Sequence, residues 1–159
     1  MKLYQKSRIE EENVLVKKYG LKNKKEIWKT LARINYFRKR AMALTKVSDE
    51  EQRVFFSKLK NIGLDIKSIP DVLALKIEDL LRRRLPSIVV YKGIANTVKQ
   101  ARQMVVHKRI RVHDKIIDSP SYIVPVYLED KITIKEKAPK KSETFKSEND
   151  SAVQAEAGI

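Results

Sequence analysis

Residues 24–40 carry Lys24, Lys25, Lys29, Arg33, Arg38, Lys39 and Arg40, with Glu26 as the one acid among them. Seven cations on one short segment repel each other unless something neutralises them, and a solvated helix face ordinarily mixes signs. The chemistry open to such a face is electrostatic capture of phosphates, each neutralised phosphate releasing a condensed counterion. A second set follows downstream. Lys99 and Arg102 lie three apart, and Lys108, Arg109 and Arg111 extend the patch. Asn96 and Thr97, just before Lys99, suit a helix N-cap whose free amides can also hold phosphate. His107 is expected to close a helix or touch nucleic acid. The expected activity is therefore binding of a polyanion through phosphate contacts, on two separate parts of the chain.

Other chemistries find no residues to carry them. The 159-residue chain has no cysteine and two histidines, His107 and His113, a poor basis for thiolate catalysis or a metal site. Four glycines leave no Gly-rich phosphate loop. Glu10, Glu11 and Glu12 are acids of a helix start, where the dipole favours them, rather than paired catalytic carboxylates. No cofactor, no metal and no enzymatic activity are expected. No apolar run reaches the roughly 20 residues of a membrane span, and Met1–Gln5 has no apolar leader. No membrane association is expected.

The elements that position these cations can be read from caps and periodicity. Ser7, Asn23 and Ser48 each precede a glutamate by three residues, the spacing of a capping box. Gly20 and Gly63 follow lysine-bearing segments and suit left-handed stops. The predicted helices span about 8–19, 24–45 and 49–62. Ile27, Leu31, Ile34, Phe37 and Ala41 form the apolar stripe of the second, and Trp28 and Tyr36, at helical spacing, are expected in the core or partly buried. A short helix is expected from Asp71, then one through Leu80, Leu81 and Leu85 bearing Arg82, Arg83 and Arg84. Pro86 marks a joint before another short helix to about Tyr91. A helix from Asn96–Thr97 to about Lys108 places Val98, Ala101 and Val105 opposite its cations. The period then becomes alternating: a hairpin over Ile110–Ile117 turning at His113–Asp114, and strands at 122–124 and 132–134.

Charge is distributed in step with this. Residues 1–80 hold 19 basic and 11 acidic side chains, and residues 81–135 hold 12 and 4, so each segment is net +8. Residues 136–159 hold 4 and 5, net −1. The excess of +15 thus belongs to the part expected to fold, and its density is highest in the second segment. Composition predicts a disordered tail over 136–159. The domain reading is 1–80 helical, 81–135 a small second unit, 136–159 tail.

The order helix, helix, basic hairpin, strand over residues 82–134 resembles the small RNA-binding module named after ribosomal protein S-four. Arg83-Arg84-Leu85, Gly93, Asn96-Thr97, Gln100-Ala101-Arg102-Gln103, His107, Ile110-x-Val112 and Ser119-Pro120-Ser121-Tyr122 carry that resemblance. Upstream, Lys18-Tyr19-Gly20-Leu21-Lys22-Asn23-Lys24-Lys25-Glu26-Ile27-Trp28-Lys29, together with Leu73 through Leu81, is similar to the archaeal and eukaryotic branch of the small-subunit ribosomal protein S-four family.

The resemblance implies an α+β fold, in which an N-terminal helical segment precedes an alpha-L module of two helices and a short antiparallel sheet. It adds Arg83, Arg84, Lys92, Gln103 and Tyr122 to the expected RNA contacts. It also implies primary binding of small-subunit ribosomal RNA near the 5′ domain early in assembly, a place by the side where messenger RNA enters, and ribosomal protein S-five as neighbour. The implied location is the cytoplasmic ribosome. The alternative is the paralogue of the nucleolar ribonucleoprotein that processes ribosomal RNA. Two departures stand out: the branch of the family with a zinc-binding cysteine knot is not matched, and the hairpin turn reads His113-Asp114 where Asn-Gly is usual and cheaper.

Overall fold

The computed structural model describes residues 5–135. The architecture is α+β, with seven helices and a three-stranded antiparallel sheet among the described residues. The expected tail, 136–159, lies outside them.

Helix α1 (Lys6–Lys18) leads into α2 (Lys25–Leu44), the longest of the seven. The turn between them is made at Gly20, φ +57°, where a side chain would be strained. A Cβ there would also sit 3.2–3.4 Å from Val98 and Lys99, so the turn lies close against the start of a helix nearly eighty residues away. The expected capping boxes at the first two helices do not form. α1 begins one residue before Ser7, and the Glu26 carboxylate reaches back to the amide of Lys22 rather than Asn23. Ser48 does precede α3 (Asp49–Asn61), but without a capping hydrogen bond from its side chain.

The acid-to-amide contacts expected there appear instead at two short helices. Asp71 accepts from the Ser68 amide at 2.9 Å before α4 (Ile69–Ala74), which starts two residues ahead of the expected Asp71. Asp79 accepts from the Lys76 amide at 2.8 Å before α5 (Ile77–Arg82). The joint near Pro86 is also earlier than expected. α5 stops at Arg82, Arg83 is its cap, and Leu85 opens α6 (Leu85–Tyr91), because proline fits the first turn of a new helix and not the interior of an old one. α7 (Val98–Val106) is capped as its sequence suggests: Thr97 Oγ1 accepts from the Gln100 amide at 3.2 Å.

Strands β1 (Ile110–Val112) and β2 (Lys115–Ile116) form the expected hairpin, with Val112 opposite Lys115 and His113 at φ +55° in the turn. β3 (Ile132–Ile134) pairs antiparallel on the other edge of β1, giving the order β2-β1-β3. The strand expected at 122–124 does not join this sheet. Ile123 bridges Arg84 alone, with Leu85 donating to Tyr122 O at 2.8 Å and Val124 to Arg83 O at 3.0 Å. That segment fastens the start of α6, and a 3-10 turn over Val126–Lys131 carries the chain back to β3.

Apolar side chains fill three adjoining clusters. One lies between α6, α7 and the sheet, around Leu85, Val89, Val105, Ile110 and Val124. A second lies under the inner stripe of α2, around Ile34, Phe37, Leu59, Val72 and Leu80. The third joins Tyr19, Leu21, Ile27 and Leu81 where α1 turns into α2. Each fully buried leucine contributes roughly 1.5–3 kcal/mol, so Leu80 and Leu81 hold α5 against α2 firmly. This positions α2 with its basic face outward.

Candidate nucleic-acid interface

The outward face of α2 follows from helical spacing. Lys25, Lys29, Arg33, Tyr36 and Arg40, at steps of four, four, three and four, form one exposed stripe, and Lys39 is exposed beside it. None of these five cations makes an ion pair or side-chain hydrogen bond among the described residues. Their like charges therefore stay uncompensated by the protein. Tyr36 is 63% exposed and Trp28 45%, contrary to the expectation of burial, because both fall on the outer side of the stripe. An exposed ring among cations can stack on a base while its neighbours hold phosphates. Trp28 is also anchored through its indole N–H to Glu12 at 2.9 Å.

Two expected contacts of this helix are used internally. Lys24 pairs with Glu12 at 3.4 Å, and Arg38 turns under the helix to donate to the Leu75 carbonyl at 2.7 Å.

In the second unit, Lys99, Gln103 and His107 repeat at four-residue intervals along the exposed side of α7. Lys108, in the left-handed conformation at φ +57°, turns the chain out of α7, and Arg109 and Arg111 continue the exposed positive surface onto β1. Lys108 has Asp118 3.9 Å away at the solvent surface, a pair of little energetic weight. Asn96 and Thr97 are exposed, but the Asn96 amide is satisfied by Gln100 Oε1 at 3.0 Å, and Thr97 is the cap. Tyr122 is half-buried against the cluster beneath α6 and α7.

The remaining arginines expected to meet RNA make hydrogen bonds and ion pairs within the protein. Arg83 donates to the carbonyls of Ile62 at 2.8 Å and Val124 at 3.1 Å, and pairs with Glu129 at 3.1 Å. Lys92 pairs with Asp130 at 3.1 Å. Arg84, nearly buried, donates through Nη2 to Glu26 at 2.5 Å and to Ser121 Oγ at 3.0 Å. Arg102 grips the same carboxylate with both nitrogens, at 2.8 and 3.2 Å.

Glu26 is thus the joint between the two basic surfaces. Burial works to raise its pKa, yet the hydrogen bonds from Arg102, Arg84 and the Lys22 amide outweigh it and hold the carboxyl down to about 2. The sequence singled out Glu26 only as a capping acid. Its isolation as the one acid within a seven-cation segment was the signal that it serves a different purpose. One carboxylate here ties the first turn of α2 to Arg102 on α7 and to Arg84 before α6, and Arg84 in turn holds Ser121.

Residues 83–130 match the family model described as the S4 domain. The chain is similar to the small ribosomal subunit protein uS4 of Methanococcus aeolicus, 44% identical over 156 residues, covering 94% of this chain and 88% of the relative. The protein of the same name from Nanoarchaeum equitans is 43% identical over 138 residues, covering 81% and 76%. That from Methanothermobacter thermautotrophicus is 43% identical over 142 residues, covering 86% and 83%.

Proposed function

The chain belongs to the small ribosomal subunit protein uS4 family, and on that premise we propose that it is a structural, non-catalytic component of the small ribosomal subunit that binds ribosomal RNA through two basic surfaces. The observation that carries this reading is the Glu26 joint. It holds the stripe Lys25–Arg40 and the surface from Lys99 to Arg111 in one fixed relation. Two rigidly related phosphate-binding surfaces suit a folded RNA junction, because the second contact forms at high effective concentration once the first is made.

Within this reading, residues 1–80 and 81–135 are two units of one grip, and the exposed cations with Tyr36 are the contact residues. The finer role is binding of small-subunit ribosomal RNA early in assembly, nucleating the folding of the 5′ domain. The place would be beside the region where messenger RNA enters, next to ribosomal protein S-five, in the cytoplasmic ribosome. Family membership supports these details.

The test is a filter-binding titration of the whole chain on a junction from small-subunit ribosomal RNA. Lys29→Ala with Arg33→Ala, and separately Lys108→Ala with Arg109→Ala, should each cost on the order of 1–3 kcal/mol. If either pair leaves affinity unchanged, that surface is not part of the grip. A tagged chain should co-sediment with mature small subunits. Sedimentation only with precursor particles would favour the nucleolar type of role.

A further inference from the structure

Between the first turns of α2 and the segment bridged to Arg84 lies a half-open cavity of about 400 Å³. Its volume is at the lower end of the range for small-molecule sites, roughly 300–1,000 Å³, so it is larger than a surface dimple and small enough for one monomer unit. Lys25, Lys29 and Arg33 line it from α2, and the half-buried Ile123 supplies apolar wall over the buried Leu80. Arg84 lines it as well. This side chain is more than nine-tenths buried, and its Nη1 has no hydrogen-bond partner among the described residues, although Nη2 is fully engaged. A buried guanidinium nitrogen without an acceptor is uncommon. Four cations against the single carboxylate of Glu26, itself committed to two arginines, leave the cavity with a strong excess of positive charge.

We propose that this cavity takes one unpaired nucleotide of the bound RNA. Its phosphate faces Lys25, Lys29 and Arg33, and the flat face of its base lies on the half-buried Ile123. The proposal rests on the RNA-binding reading above and goes beyond it: the stripe grips one nucleotide specifically, where a flat basic surface would track phosphates without preference. The chemistry fits. Lys25, Lys29 and Arg33 all line this one cavity, so a single phosphate seated there meets charge-assisted donors from successive turns of α2. The apolar wall explains why an extruded base, and not a paired one, belongs there.

The experiment uses the full chain and a junction RNA carrying a neutral methylphosphonate at one linkage at a time, with abasic substitutions at the same nucleotides. One linkage should cost roughly tenfold in affinity, as loss of a charge-assisted contact does. The abasic change at that nucleotide should cost several-fold, and other positions much less. Both penalties should collapse in Lys29→Ala with Arg33→Ala. They should also collapse in Asn23→Leu, which narrows the rim of the cavity without altering charge and so keeps the salt dependence of binding. Penalties spread evenly along the RNA, or surviving in both variants, overturn the proposal. So does a cavity whose Asn23 and Ser121 amide resonances shift with inorganic phosphate but not with the RNA, since that is a small-anion site. A chain that binds no small-subunit ribosomal RNA at all would instead sink the functional reading on which this rests.

Discussion

Replacing Glu26 by glutamine keeps the size of the side chain and removes its charge, leaving Arg84 and Arg102 facing a neutral amide. Arg84 is 6% exposed as a residue, so its guanidinium loses its counterion where water does not replace it. Removing one partner of a buried pair typically costs about 3–5 kcal/mol. The carboxyl's own displacement, from an ordinary 4.5 to about 2, corresponds to roughly 3 kcal/mol by linkage. Both routes therefore lead to about 3 kcal/mol, near 10 °C in melting temperature for a domain of this size.

The pH dependence carries a sign. A carboxylate whose pKa is depressed on folding contributes stability that is fully present above pH 4.5 and is lost as the pH falls toward 2. Urea titrations of the parent and Glu26→Gln at pH 7 should differ by the full amount, and at pH 3 by less than half of it. A difference under about 1 kcal/mol at pH 7, or one that does not shrink in acid, would refute the claim that this carboxylate joins the two units.

Three further outcomes follow from the same geometry. Arg102→Met should lower stability by about 1–3 kcal/mol, measured by urea unfolding, while the salt slope of RNA binding stays near that of the parent, because its charge is spent on Glu26. Gly63→Ala should destabilise by on the order of 1–3 kcal/mol in thermal melts. The residue sits at φ +87°, and a Cβ would meet the Arg83 guanidinium at 2.5 Å while three acceptors hold that group in place. Log affinity for small-subunit ribosomal RNA should fall linearly with log salt, with a slope of several released counterions. A flat response at constant magnesium would count against the charge argument.

Much of this was legible because the relevant forces are local. The apolar stripe Ile27, Ile34, Phe37 and Ala41 is buried where periodicity put it, and the Thr97 cap and the His113–Asp114 hairpin follow from side-chain chemistry within a few residues. The capping box at Ser7 is absent because α1 already begins at Lys6, and that at Asn23 failed for a nonlocal reason. A glutamate three residues after a cap can satisfy an amide, but at Glu26 two arginines 58 and 76 residues away offer stronger charge-assisted bonds. The segment 122–124 alternates like a strand, yet spends its backbone groups on Arg83 and Leu85, a choice set by how α5 and α6 meet. Trp28 and Tyr36 were misplaced because helical spacing fixes a residue's angle on the helix but not where the buried arc ends.

The arginines show most clearly what charge alone leaves open. By sequence Arg33, Arg83, Arg84 and Arg102 share one reading, and the fold separates them. Arginine's planar fork suits a carboxylate as well as a phosphate, so its place in a basic run does not decide which it meets. The nearest acid does. Arg83 has Glu129, and Arg84 and Arg102 share Glu26, whereas Arg33 has no acid partner among the described residues. Lysines divide in the same way: Lys24 finds Glu12, and Lys25 and Lys29 find no acid among the described residues. Glu12, Glu26 and Glu129 thus neutralise cations at contacts within the fold. The surplus positive charge is left on the outer side of α2 and along α7 and β1, where a phosphate backbone can reach it. The fold sorts one basic composition into paired and unpaired cations, and the Glu26→Gln and Lys29→Ala/Arg33→Ala variants separate the two: the first should lose stability, the second affinity for RNA.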